Sequence, residues 1–251
     1  MDLGLKGKKA VVTGGSKGIG RAIADTFANE GADVALCARN AAEVEATVAA
    51  LKAKGVKASG RALDVADADA LKSWIADAGG ELGGIDALVC NVSALAVGDS
   101  AETWEKSFRT DMMHTVNAVA AAVSFLEKSS SASIVLISSV SGFEVDSAAG
   151  SYGAMKAALI HYAKGLSRQL VGKGIRVNCV SPGNTYFDGG IWQNIEKNLP
   201  DLFASTVKVN PTGKFGTAEE VANGVIFLSS PVASRISGTN LVIDGALTVA
   251  V

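Results

Sequence analysis

The sequence predicts a doubly wound α/β fold, a Rossmann-type parallel sheet of seven strands with helices on both faces. Three observations predict it. Short runs of Val, Ile, Leu and Ala alternate with longer helix-like segments from Lys9 to about Asp244 with no break in composition. The runs are nearly continuously apolar, as expected for parallel strands covered by helices on both faces. The first run leads directly into a glycine-rich turn that opens a helix, the arrangement of a nucleotide-binding α/β unit.

The strand runs are 10–13, 33–38, 57–63, 87–90, 133–137, 176–180 and 240–243. Helical patterns fill the gaps at 18–30, 41–54, 67–79, 101–127, 151–172 and 217–230, the last opening on Thr217-Ala-Glu-Glu220, a capping-box sequence. The stretch from Pro182 to Gly216 breaks this rhythm, with Gly183, Gly189, Gly190, Pro200 and Pro211 interleaved with Tyr186, Phe187, Ile191, Trp192, Leu199, Leu202 and Phe203. A stretch of that length in a compact domain reads as a functional lid. The expectation is one domain spanning 1–251, with a substrate lid at about 184–216.

Composition narrows the function. The chain has 251 residues, of which 48% are hydrophobic, with 28 Gly and 4 Pro, so it is neither disordered nor fibrous. The 23 Lys and Arg against 25 Asp and Glu offer no electrostatic footprint for nucleic acid or an anionic membrane. The longest uncharged stretches, such as 112–126, fall short of the ~20 apolar residues of a membrane span, and the N-terminus lacks a signal-peptide pattern. Cys37, Cys90 and Cys179 read as reduced core thiols, and with only His114 and His161 besides, no metal site is expected. These features point to a cytoplasmic protein with a small-molecule partner.

The first strand runs into Thr13-Gly14-Gly15-Ser16-Lys17-Gly18-Ile19-Gly20 and then a helix. Glycines there let the backbone turn tightly against a pyrophosphate held at the positive end of the helix. A Walker-type loop is excluded, because Gly20 is followed by Arg21-Ala22. An NAD site usually carries an acid about 20 residues on, to hold the ribose hydroxyls. Here the second strand ends Leu36-Cys37-Ala38-Arg39-Asn40 instead, and Lys17 stands in the turn. Two cations near the adenosine ribose suit a 2'-phosphate, since Arg offers a fork and Lys a point charge. The expected cofactor is NADP(H).

The fifth strand ends in Ile137-Ser138-Ser139, and Tyr152-Gly153-Ala154-Met155-Lys156 follows near the start of a helix. The i, i+4 spacing puts Tyr152 and Lys156 on one face, where an ammonium favours phenolate over phenol. Ser139 lies at the strand edge where open α/β sheets bind ligands.

Taken together, these motifs resemble the short-chain dehydrogenases/reductases in their single-domain form. The resemblance covers nearly the whole chain, through the turn at 13–20, Asp64-Val65, Ser139, Tyr152, Lys156, Pro182-Gly183, and Ser237-Gly238 through Asp244-Gly245. It implies hydride transfer between nicotinamide and a carbonyl or alcohol carbon, with Tyr152 as proton donor or acceptor and Ser139 holding the substrate oxygen. Lys156 would bind the nicotinamide ribose and favour the phenolate, Asp64 would hold the adenine amino group, and Val65 would line its pocket. Gly14, Ser16, Lys17, Gly18, Ile19, Gly20, Arg39, Asn91, Pro182, Gly183 and Thr185 complete the expected cofactor contacts. A homodimer or homotetramer is implied through the Ala-rich helix after Ala101 and the helix bearing Tyr152, with the C-terminal strand as a second contact.

Two positions depart from the family pattern. The family's Asn-Asn-Ala-Gly is here Cys90-Asn91-Val92-Ser93, and the Asn of its proton relay is Asp111. The added carboxylate is expected to draw on Lys156 and alter the tyrosine. Use of NADP(H) favours the reductive direction, on 3-oxoacyl, cyclic or other ketones. Two alternatives stay open: an NADP-binding sensor or scaffold with impaired catalysis, and an NAD-dependent alcohol dehydrogenase. His114, His161, Trp74 and Trp104 read as structural, while Tyr186, Phe187 and Trp192 read equally as pocket lining or packing.

Overall fold

The computed structural model describes residues 1–250. Its main sheet holds seven parallel strands, β1 (Lys9–Thr13), β2 (Asp33–Ala38), β3 (Ala58–Ala62), β4 (Ala87–Cys90), β5 (Ser133–Ile137), β6 (Arg176–Pro182) and β9 (Asn240–Ile243), in the order β3-β2-β1-β4-β5-β6-β9. The order reverses between β1 and β4, which opens a crevice beyond their carboxyl ends.

One face of the sheet packs against α3 (Ala68–Leu82), α5 (His114–Leu126) and α6 (Ser151–Leu170), around Leu71, Trp74, Ile75, Leu126 and Leu166. The other packs against α1 (Gly18–Asn29), α2 (Ala41–Lys52) and α9 (Ala218–Ser229), around Ile23, Phe27, Leu51 and Val225. Alternate residues of one strand serve the two cores, Val11 on one side and Ala10 and Val12 on the other, so both faces of the strand must be apolar. Asn40, Asp67 and Ser100 cap α2, α3 and α4 (Ala101–Ser107), and Thr217 and Glu220 form the capping box of α9.

The structure differs from the sequence expectation in four places. The segment 57–63 is an edge strand whose Gly60 and Arg61 are exposed, so it needs no apolar run. The stretch 101–127 is not one continuous helix: between α4 and α5 the chain widens into a π-helical turn, Phe108–Met113, a distortion that often accompanies a functional residue. The segment 184–216 contains structure of its own, α7 (Ile191–Asn198), α8 (Pro200–Val209) and a small parallel sheet of β7 (Thr185–Tyr186) with β8 (Gly216–Thr217). Trp104 is exposed on α4 beside exposed Phe108 and does not pack inward, whereas Trp74 is in the core.

All three cysteines are buried and free. Burial pushes the thiols of Cys37 and Cys179 up to about 12 and that of Cys90 higher still, so they stay protonated. Among the described residues no helix is long and apolar enough to cross a membrane.

Candidate active site

A cavity of about 1100 Å³ lies over the carboxyl ends of β1, β4, β5 and β6, where the topology predicts a ligand. It brings together Gly14, Ser16, Lys17, Ile19, Gly20, Arg39, Asp64, Val65, Asn91, Ser139, Tyr152, Lys156, Pro182, Gly183 and Thr185. Two expected residues stay behind its wall. Gly18 begins α1 beneath the Phe187 ring, and Asp111 is buried under the floor.

At one end, the turn between β1 and α1 presents the first amides of α1. No side chain caps them and no acid stands in the first helical turn, so they are available to an anion. Gly18 adopts φ +54°, and a Cβ there would lie 2.6 Å from the Phe187 ring. Both facts demand glycine. Lys17 and Arg39 are exposed at the rim and join no ion pair among the described residues. The Lys17 ammonium lies against the turn at Gly189. Ser16 Oγ donates to Glu43 at 3.1 Å. Asp64 accepts the amide of Ala66 at 2.9 Å and Val65 is buried beside it.

At the other end stand Ser139, Tyr152 and Lys156. Ser138 donates from Oγ to the Lys156 carbonyl at 2.7 Å, tying the end of β5 to α6. Gly142 allows this close approach, since a Cβ there would sit 2.7 Å from the Lys156 backbone. Ser139 Oγ accepts the Ser141 amide at 3.2 Å and donates to Ser141 Oγ at 3.2 Å, which itself donates to Asp146 at 2.6 Å. The Lys156 ammonium lies 5.6 Å from the centroid of the Tyr152 ring.

The π turn places Asp111 beneath these groups. Its Oδ2 accepts the amide of Ala94 at 3.0 Å, and its Oδ1 lies 3.1 Å from Lys156 Nζ, with both side chains sealed from water. Lys156 directs a hydrogen bond to the Ile137 carbonyl at 3.1 Å. Asp111 Oδ1 receives no hydrogen bond from a described group, so its partnership with the lysine is one of charge.

Thr13 and His114 also shape the site and were not among the expected site residues. His114 Nδ1 faces the Thr110 carbonyl at 3.1 Å and therefore carries the proton, leaving Nε2 to accept the Thr13 hydroxyl at 3.0 Å. Complete burial pulls the imidazole down to about 4, so it is neutral. Thr13 Oγ1 also accepts the Asn91 amide at 3.0 Å, and Asn91 Nδ2 donates to the carbonyls of Thr13 and Gly14 at 3.2 and 3.3 Å. This lattice fastens the glycine turn to β4 and α5. Its only local signal was the Thr-Gly pair, since His114 and Thr13 are 101 residues apart. His161 is exposed. Phe187 and Trp192 line the cavity, while Trp192 also packs on Phe215, and Tyr186 packs on Phe203.

A family model described as Enoyl-(Acyl carrier protein) reductase matches residues 14–248. The isoepoxydon dehydrogenase patN of Penicillium expansum is 39% identical over 98% of this chain and 96% of its own length. Among solved structures, an L-sorbose reductase from Gluconobacter frateurii complexed with NADPH and L-sorbose superposes with a TM-score of 0.92 at 29% identity, covering 100% of both chains. A short chain dehydrogenase from Burkholderia cenocepacia in complex with NADP does so with a TM-score of 0.87 at 33% identity, covering 97% of this chain and 98% of its own. With the sheet order, the glycine turn and the Ser-Tyr-Lys arrangement, these likenesses show that the chain belongs to the short-chain dehydrogenase/reductase family of oxidoreductases.

Proposed function

We propose that this protein is an NADP(H)-dependent oxidoreductase acting on a ketone or secondary alcohol. The observation that carries the reading is that one cavity holds a phosphate-ready helix end and two cations in no ion pair among the described residues at one end, and Ser139, Tyr152 and Lys156 at the other. When bound, the cofactor supplies or accepts a hydride at the carbon whose oxygen faces Tyr152. The uncapped amides of α1 hold the pyrophosphate, and Lys17 and Arg39 take the 2'-phosphate. Asp64 and Val65 receive the adenine, while Asn91, Pro182, Gly183 and Thr185 frame the nicotinamide half. Ser139 orients the substrate oxygen, Tyr152 gives or takes its proton, and Lys156 stands beside the Tyr152 ring.

The Gluconobacter relative was crystallised with NADPH and the Burkholderia relative with NADP, which supports the cofactor reading. An isoepoxydon dehydrogenase and an L-sorbose reductase among the relatives support a hydroxyl or carbonyl substrate. Phe187, Ile191 and Trp192 would close the segment 184–216 over that substrate as a lid. Exposed Trp104 and Phe108 on α4 and its extension support association of copies into a dimer or tetramer through this face. Protonated, free thiols suit a cytoplasmic setting.

Titration with NADPH and NADH, followed by a panel of ketones and alcohols, tests the proposal. Preference for NADPH, with turnover abolished in Tyr152→Phe while binding persists, is the expected result. Equal affinity for the two cofactors would favour an NAD-using alcohol dehydrogenase. Tight NADPH binding without turnover on any substrate would favour the sensor reading, for which the buried Asp111 pair is the specific observation.

A further inference from the structure

NADP+ and NADPH share every phosphate, ribose and base, and differ in one place: the oxidised nicotinamide ring carries a positive charge. The ratio of their affinities therefore reports the charge that the protein sets around that ring. Hydride and proton leave or join neighbouring atoms of the substrate, so on the reading above the ring lies beside Tyr152 and Lys156. A buried lysine alone would make that end cationic and repel the oxidised ring.

This chain does not leave the lysine alone. Asp111 Oδ1 sits 3.1 Å from Lys156 Nζ, and both groups are out of water. His114, which stands beside both charges, is held neutral by burial. The pair sums to zero.

Building on the proposed function, we infer that Asp111 is a positioning residue that cancels the Lys156 charge beneath the nicotinamide, raising affinity for the oxidised cofactor relative to the reduced one. Stabilising the oxidised form makes the bound reduced form a stronger hydride donor, so the device drives carbonyl reduction and makes NADP+ a strong product inhibitor. At an effective dielectric of about 20, a unit charge in the neighbourhood of the ring changes a binding constant roughly tenfold or more. For a two-electron couple, that factor lowers the bound potential by about 30 mV.

The test is the dissociation constant of NADP+ and of NADPH, measured by calorimetry on the purified wild type and on Asp111→Asn without substrate. The substitution is expected to weaken NADP+ about tenfold more than NADPH. A purely structural role for Asp111 would move both constants by the same factor, and that result overturns the inference. Should the variant fail to fold, the wild type still decides. NADP+ binding at least as tightly as NADPH supports cancellation, and NADPH binding tenfold tighter or more overturns it. A wild type that binds neither cofactor overturns the functional reading itself, and this inference with it.

Discussion

Asp111 and Lys156 form a buried ion pair at 3.1 Å, joining a π-helical turn to the helix that carries Tyr152. A buried pair is weak evidence for net stability, but removing one partner strands the other charge without water. Lys156→Met is therefore expected to cost about 3–5 kcal/mol in urea unfolding as well as turnover. The double variant Lys156→Met with Asp111→Leu should recover most of the stability and none of the activity. A single variant as stable as the wild type would mean that water reaches Asp111.

The two rim cations give a second expectation. Arg39→Ala removes a charge-assisted contact worth about 1.5–3 kcal/mol, so NADPH affinity should fall roughly 10- to 100-fold while NADH affinity stays unchanged. Lys17→Ala should show the smaller loss, because its ammonium already leans on the turn at Gly189. Fluorescence titration with both cofactors checks the order.

Gly18 is held at φ +54° under the Phe187 ring. Gly18→Ala should raise the NADPH dissociation constant at least about tenfold, through a left-handed residue that costs roughly 1–2 kcal/mol and a displaced ring. Adding Phe187→Ala removes the collision but not the backbone strain, so only part of the affinity should return.

His114 links the fold to pH. Its value is 6.5 when unperturbed and about 4 in the fold. The unfolded chain therefore binds the extra proton first as pH falls. The stabilising effect is complete above about pH 6.5 and is lost on the way down to about pH 4, with a ceiling on the order of 3 kcal/mol. His114→Gln should flatten the stability profile in that window, as read from unfolding midpoints between pH 7 and 4.5. An unchanged slope would mean that the ring is not held neutral.

The capping box of α9 stands outside the cavity lining. Thr217→Ala frees the Glu220 amide and should lower stability by about 1 kcal/mol without changing turnover.

The strands were legible because burial on both faces writes itself as an apolar run, as at Ala87–Cys90 and Ser133–Ile137. Edge strand β3 was legible only in position, since its outer residues owe nothing to a core. The glycine turn and the Tyr152–Lys156 pair were legible for another reason. Their geometry is set within a few residues, by backbone freedom and by helix periodicity.

The sequence by itself determined the doubly wound class, the phosphate-binding turn, the one-face placement of Tyr152 and Lys156, and Asp111 as an anomalous carboxylate. The tertiary structure decided what those residues meet. Whether Asp111 faces water or Lys156 depends on the π turn and on how that turn packs against α6. That His114 braces Thr13, and that Phe187 covers Gly18, depends on contacts between segments 101 and 169 residues apart. Local pattern encodes local conformation, whereas the charge state and partners of a buried group are set by whatever the rest of the fold packs around it.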